Sequence, residues 1–225
     1  ITNRTRMIMV NSPCNPTGAV YTREEIEEIV SIAIEHDLWI ISDEIYSRLI
    51  WNGGEHVSPA TIEGGKERTI VISGWSKTWA MTGMRVGFLA GPEQAVRAAV
   101  KCQANSASHI PTFMMEAARV ALDCDDHVER FSDAYRQRRK LMVQGLEDIP
   151  GLRIVNPEGA FYLFIDVSGT GMSDVEFADG ALEAGVQLIP ASLITGGEGF
   201  IRVSYAASEE DIKEGISRLR SWLLQ

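Results

Sequence analysis

Lys77 stands in the stretch SGWSKTWA, after a short branched run and between two tryptophans. A lysine partly withdrawn from water has a lowered pKa and becomes a nucleophile toward carbonyl groups. Arg85, eight positions on in WAMTGMRVGF, brings a planar guanidinium whose donors match phosphate oxygens. Asp43, just past another apolar run, has the charge to hold a cationic ring nitrogen. Taken singly, each has a plainer reading: a surface lysine, a salt-bridged arginine, an aspartate at a helix N-cap.

The elements that must position these residues follow from periodicity. Residues 7–10, 38–41 and 69–72 are short, apolar and branched, too short for helices and expected as parallel strands buried on both faces. Between the first two, Thr22 and Glu25 form a capping box, and Ile26, Ile29, Val30 and Ala33 recur at helical spacing. Strand, helix and strand in this order imply a right-handed crossover and a helix-covered sheet. Each run ends in a polar cluster: NSPCNPTG (11–18), SDEIY (42–46) and SGWSK (73–77). In open α/β sheets the ligand crevice lies outside the carboxyl ends of the strands, so three clusters there predict one site.

Further on, residues 85–90 read as another strand, and 92–104 and 111–122 as helices opened by proline. Residues 127–146 continue helical, with Arg136, Arg138, Arg139 and Lys140 as a solvated face. DIPGL (148–152) breaks that helix. Then come a strand (159–166), a helix (173–184) with a Ser173/Glu176 capping box, strands at 186–190 and 200–206, and a closing helix (208–224). The texture is a second α/β layer with a smaller sheet.

Composition narrows the classes. The 225 residues are 45% hydrophobic and 23% charged, as in ordinary globular proteins. A formal charge of −10 repels phosphate backbones and anionic lipid, which argues against nucleic acid or membrane partners. Cys14, Cys102 and Cys124 are an odd count without a CxxC pair, so neither a disulfide framework nor a zinc site is expected and a reducing cytoplasm fits. His36, His56, His109 and His127 are scattered singly and receive no role. No apolar run approaches the roughly 18 residues of a membrane span, and no secretion signal is expected.

NSPCNPTG, SDEIY and SGWSKTWAMTGMRVG, in this order and spacing, resemble the class I and II aminotransferases of the pyridoxal-phosphate fold type I superfamily. GAFYLF and GEGFIRVSYA resemble that family's small-domain segments, so the likeness covers essentially the whole chain. The resemblance implies that Lys77 forms the internal aldimine with pyridoxal 5'-phosphate. Once freed, Lys77 would move the proton between the substrate α-carbon and the cofactor C4′. It also implies that Asp43 pairs with the pyridine nitrogen, that Tyr46 and Asn15 bond the ring's 3′ oxygen, and that Arg85 binds the phosphate. Arg202 would clamp the substrate α-carboxylate, with Asn15 beside it. A buried acid, a dry lysine and two fixed arginines are what deprotonating an amino acid near neutral pH requires. Pro13 and Pro16 restrict the backbone around Asn15. Glu44 and Ser76 alternate away from this set and are left out of it.

The expected fold class is therefore α/β: residues 1–146 as the later portion of a large, mostly parallel-sheet cofactor domain, and 147–225 as a smaller α/β domain. Three features depart from the family pattern. Gly74 stands where a phosphate-binding serine is common, Ala191 follows Pro190 where glycine is more usual, and Cys14 sits beside Asn15 where asparagine or another small residue is common. The family's N-terminal arm, its glycine-rich phosphate turn and its ring-stacking aromatic are not found. The chain is accordingly expected to be the C-terminal part of a longer, homodimeric, cytoplasmic enzyme, binding the cofactor poorly and inactive alone. The expected activity is transfer of an amino group from an L-amino acid to a 2-oxo acid. Two alternatives stand beside it: a C–S β-lyase or cyclase on the same scaffold, and the aminotransferase-like sensor domain of a transcription regulator.

Overall fold

A computed structural model describes residues 1–224; Gln225, the last residue of the expected small domain, lies outside the described residues. The three branched runs form β1 (Met7–Asn11), β2 (Trp39–Asp43) and β3 (Thr69–Gly74), paired in parallel in that order. Helix α1 (Arg23–Glu35) makes the crossover from β1 to β2, and both halves of its Thr22/Glu25 capping box are present. Its buried residues Ile26, Val30 and Ala33 pack with Val10, Leu38 and Ile40 into one core cluster.

Burial on both strand faces holds only in part. Ile8, Val10 and Ile40 pack in the core cluster with α1, whereas Met7 and Met9 stand 52% and 68% exposed on the opposite face. One crossover helix covers one side of a sheet, and strand side chains alternate between the two.

β4 (Gly87–Ala90) joins β3 antiparallel, making a mixed, mostly parallel sheet of order β1-β2-β3-β4 among the described residues. The strand opens at Gly87 rather than at residue 85, because Arg85 is left-handed (φ 55°, ψ 39°) and ends the 3-10 turn Thr82–Met84. Helices α2 (Glu93–Ser106), α3 (Thr112–Ala121) and α4 (Asp125–Leu146) follow. Pro92 and Pro111 occupy the N-cap positions of α2 and α3, just outside the helices they open.

The second sheet has the order β5-β6-β8-β7 and is antiparallel throughout. Its strands are β5 (Arg153–Ile154), β6 (Tyr162–Asp166), β7 (Ile189–Pro190) and β8 (Phe200–Ser204). β5 is two residues long, too short to leave a periodic signal. Helix α5 (Asp174–Glu183) carries the complete Ser173/Glu176 capping box, and α6 (Glu209–Leu223) is capped by Ser208. Leu163, Ile165, Ile201 and Val203 supply the buried sheet face, and Phe177 of α5 meets Trp222 of α6 edge to face at 5.1 Å.

The described residues group into two compact units: residues 1–13 with 20–129, and residues 14–19 with 130–224. Among the described residues no helix is long and apolar enough to cross a membrane.

Candidate active site

In the first unit the sheet register brings three strand ends level. Asn11 of β1 aligns with Asp43 of β2, and Asp43 with Ile72 of β3. The backbone there is stitched tightly: Ser12 N donates to the Asp43 carbonyl at 3.3 Å and Glu44 N to that of Ile72 at 2.8 Å. Asp43 is half-buried, and its Oδ1 accepts from the Ile45 amide at 3.2 Å, shaping the turn that leads to Tyr46. Tyr46 is buried at 3% exposure.

β3 runs out at Gly74 into the turn that carries Lys77, which is half-buried. Lys77 Nζ lies 5.9 Å from the centre of the Tyr46 ring, so the end of β2 and the turn after β3 bring these two residues together. The turn is walled by aromatics. Trp75 meets Trp79 and Phe88 with centroids 5.8 Å apart in each case, and its Nε1 donates to the Ala118 carbonyl of α3 at 2.8 Å. Indole rings with one anchored N–H give a rigid, apolar support.

Gly74 has a steric reason. A Cβ there would approach the Val86 carbonyl oxygen to 2.7 Å and Gly87 Cα to 2.9 Å, both backbone atoms of the adjoining strand segment. The close antiparallel approach of β3 and β4 thus excludes a serine at this position. Neighbouring Ser73 donates its hydroxyl to the Glu44 carbonyl at 3.3 Å.

Arg85 is exposed, and its Nη1 donates to the Thr82 carbonyl of its own turn at 3.1 Å. Its φ of 55° is unusual for a residue with a side chain and is the kind of backbone strain that gathers at functional sites.

The second unit holds the other two residues. Arg202 sits in β8 between β6 and β7, opposite Phe164 and Ile189. Its guanidinium lies over the Tyr162 ring at 4.8 Å, a diagonal cross-strand pair, and its Nη1 donates to Asn15 Oδ1 at 3.0 Å. A guanidinium only donates, so the oxygen of the Asn15 amide must face it and the Nδ2 donor points elsewhere. The loop bearing Asn15 closes on itself through Gly18 N to Cys14 O and Cys14 N to Ala19 O, each 2.8 Å. It is tied to Glu158 and Gly159, whose amides both donate to the Gly18 carbonyl at 2.9 and 2.8 Å. Gly18 has φ 72°, and a Cβ would meet Pro157 Cβ at 2.4 Å, so only glycine fits. The Ser12–Pro13 and Asn15–Pro16 peptide bonds are both cis.

One cluster carried no expected role. Glu44, 8% exposed, accepts from Ser42 Oγ at 3.0 Å and Ser58 Oγ at 2.5 Å, and His56 Nε2 lies 3.1 Å from its Oε2. Burial pushes the Glu44 carboxyl upward, but the close approach of His56 and the hydrogen bonds from Ser58 and Ser42 outweigh it and hold the group below its ordinary value. Alternation could have found the cluster, since Leu38, Ile40, Ser42 and Glu44 share one strand parity and are all buried.

The donor set fits a phosphorylated aromatic aldehyde such as pyridoxal phosphate. Within the first unit, Lys77 offers an amine for the carbonyl, Asp43 a carboxylate for a ring nitrogen, Tyr46 a phenol for a ring oxygen and Arg85 a guanidinium for an anion.

Residues 1–219 match the family model "Aminotransferase class I and II". The aspartate aminotransferase of Pyrococcus abyssi is 41% identical over 228 residues, covering 99% of this chain and 58% of that protein. Aromatic-amino-acid aminotransferase 2 of Thermococcus litoralis is 42% identical with the same coverage. Among solved structures, the aromatic aminotransferase of Pyrococcus horikoshii superposes with a TM-score of 0.94 at 42% identity, over 98% of this chain and 60% of that one. The Thermus thermophilus aspartate aminotransferase with maleate gives a TM-score of 0.91 at 38% identity, over 99% and 58%. The chain thus spans about 58% of the length of the curated relatives it matches.

Proposed function

The chain belongs to the class I and II aminotransferases, and from that membership we propose that it serves a pyridoxal-phosphate-dependent enzyme moving an amino group from an L-amino acid to a 2-oxo acid. The observation that carries this reading is the placement of Asp43, Tyr46 and Lys77 at neighbouring ends of one sheet, with Lys77 Nζ 5.9 Å from the Tyr46 ring.

When bound, pyridoxal phosphate supplies an electron-withdrawing ring that stabilises negative charge at the substrate α-carbon. The chain's own residues do the rest. Lys77 would hold the cofactor through its amine, and that amine would carry the proton to and from the substrate α-carbon. Asp43 keeps the ring nitrogen protonated, and Tyr46 and Asn15 donate to the ring oxygen. Arg85 binds the phosphate. Arg202 binds the substrate α-carboxylate, a role supported by its fixed posture between Tyr162 and Asn15. The relatives' names span aspartate and aromatic amino acids, whose shared feature is the α-carboxylate that a guanidinium fork recognises. The family resemblance also supports a homodimer working in the cytoplasm.

The test uses the full-length protein loaded with pyridoxal phosphate, reduced with borohydride and digested. The expected result is cofactor mass on the peptide containing Lys77, together with transfer to a 2-oxo acid acceptor. An unlabelled Lys77 overturns the reading, and release of pyruvate and ammonia without an acceptor replaces transfer with β-elimination.

A further inference from the structure

We propose that Glu44 and His56, with Ser42 and Ser58, form a buried latch that positions the Asp43–Tyr46 turn for the cofactor; this rests on the reading just given. Glu44 is the residue between the acid and the turn that carries Tyr46, and strand alternation sends its side chain away from Asp43's side of the sheet. It therefore acts through its neighbours rather than on the cofactor.

Every part of Glu44 is tied down. Its amide donates to the Ile72 carbonyl at 2.8 Å, and its carbonyl accepts from Ser73 Oγ at 3.3 Å and Ser47 N at 3.0 Å. Its carboxylate meets the hydroxyls of Ser42 and Ser58 and the imidazole of His56. The side chains of His56 and Glu44 are 12% and 11% exposed, so the pair is shielded from water and from salt. Ser58 is itself fixed, since its Oγ accepts from Ala60 N at 3.3 Å as the cap of the 3-10 turn Pro59–Thr61. The latch thereby joins three stretches: the end of β2, the end of β3 and residues 56–58. A carboxylate this buried is retained only with such partners, because removing one leaves a charge stranded in low dielectric. The role matches a site in which Asp43 must present one oxygen to a ring while its other oxygen caps Ile45, a geometry that tolerates little turn movement.

The experiment compares the full-length wild type with Glu44→Gln, His56→Leu and His56→Gln. Three readouts serve: hydrogen exchange of residues 43–49 in cofactor-free protein, the dissociation constant for pyridoxal phosphate, and visible circular dichroism of the bound cofactor. His56→Leu and Glu44→Gln are expected to weaken cofactor binding roughly tenfold or more, raise exchange at 43–49 and diminish the visible dichroism. His56→Gln, whose amide still donates to the carboxylate, is expected to restore most of each. Wild-type values in His56→Leu for exchange and cofactor binding overturn the latch, and so does a loss spread over the whole chain's exchange rather than confined to 43–49. If the wild type itself takes up no cofactor at Lys77, the functional reading falls, and the latch's purpose with it. Should Glu44→Gln fail to fold, Ser58→Ala removes one bond of the same cluster and is read in the same way.

Discussion

Arg202 Nη1 donates to Asn15 Oδ1 at 3.0 Å across 187 positions of sequence. The bond orients both groups: the guanidinium is held over the Tyr162 ring at 4.8 Å, and the amide is turned so that its oxygen faces the arginine. Replacing Arg202 by Lys keeps the charge and removes the two-pronged geometry. In the full-length enzyme this is expected to raise KM for the amino acid about 10- to 100-fold, some 1.4–2.8 kcal/mol. Asn15→Ala removes the bond to Arg202 together with the one proposed to the ring oxygen, and a loss of about 1–3 kcal/mol is expected in kcat/KM. Steady-state kinetics with saturating cofactor decides; an unchanged KM in Arg202→Lys removes the carboxylate-binding role.

Gly74→Ala and Gly74→Ser are expected to destabilise the protein alike, by about 1–3 kcal/mol, because the obstruction is met at Cβ by the Val86 carbonyl and Gly87 Cα. Urea unfolding checks this. A serine variant as stable as the wild type would show that β4 can yield.

The Glu44 carboxyl is held below its ordinary 4.5, with burial opposing and the His56, Ser58 and Ser42 contacts prevailing. Its folded-state pKa is thus lower than its unfolded one. The stability it contributes is present above 4.5 and is lost as pH falls through the folded value. Wild-type stability should therefore drop more steeply than that of Glu44→Gln as the solution is acidified below 4.5. Urea midpoints at a series of pH values measure the difference, and parallel curves for the two proteins refute it.

Thr22→Ala and Ser173→Ala each remove the side-chain half of a capping box. Each is expected to cost about 1 kcal/mol and, since α1 and α5 belong to different units, the two losses should add in the double variant. Thermal or denaturant unfolding reads both, and a strongly non-additive pair would contradict it.

Features that depend on neighbours along the chain are legible from the residues alone. The capping boxes of α1 and α5, the strand character of residues 7–10, 38–41 and 69–72, and the helical runs after Pro92 and Pro111 are written in local spacing and side-chain chemistry. The family, too, was legible, because three ordered motifs survive without any knowledge of contacts. The remainder depends on contacts between distant segments. The two-residue β5 leaves no period to read, and Arg85's left-handed backbone arises where a 3-10 turn must redirect the chain into β4. Gly74 is required by a strand that approaches from twelve or more residues away. His56, unremarkable as a lone histidine, gains a partner only because the ends of β2 and β3 bring Glu44 beneath residues 56–58. Local periodicity fixes which face of an element is apolar, but which polar groups meet on burial is set by register and packing between elements distant in sequence.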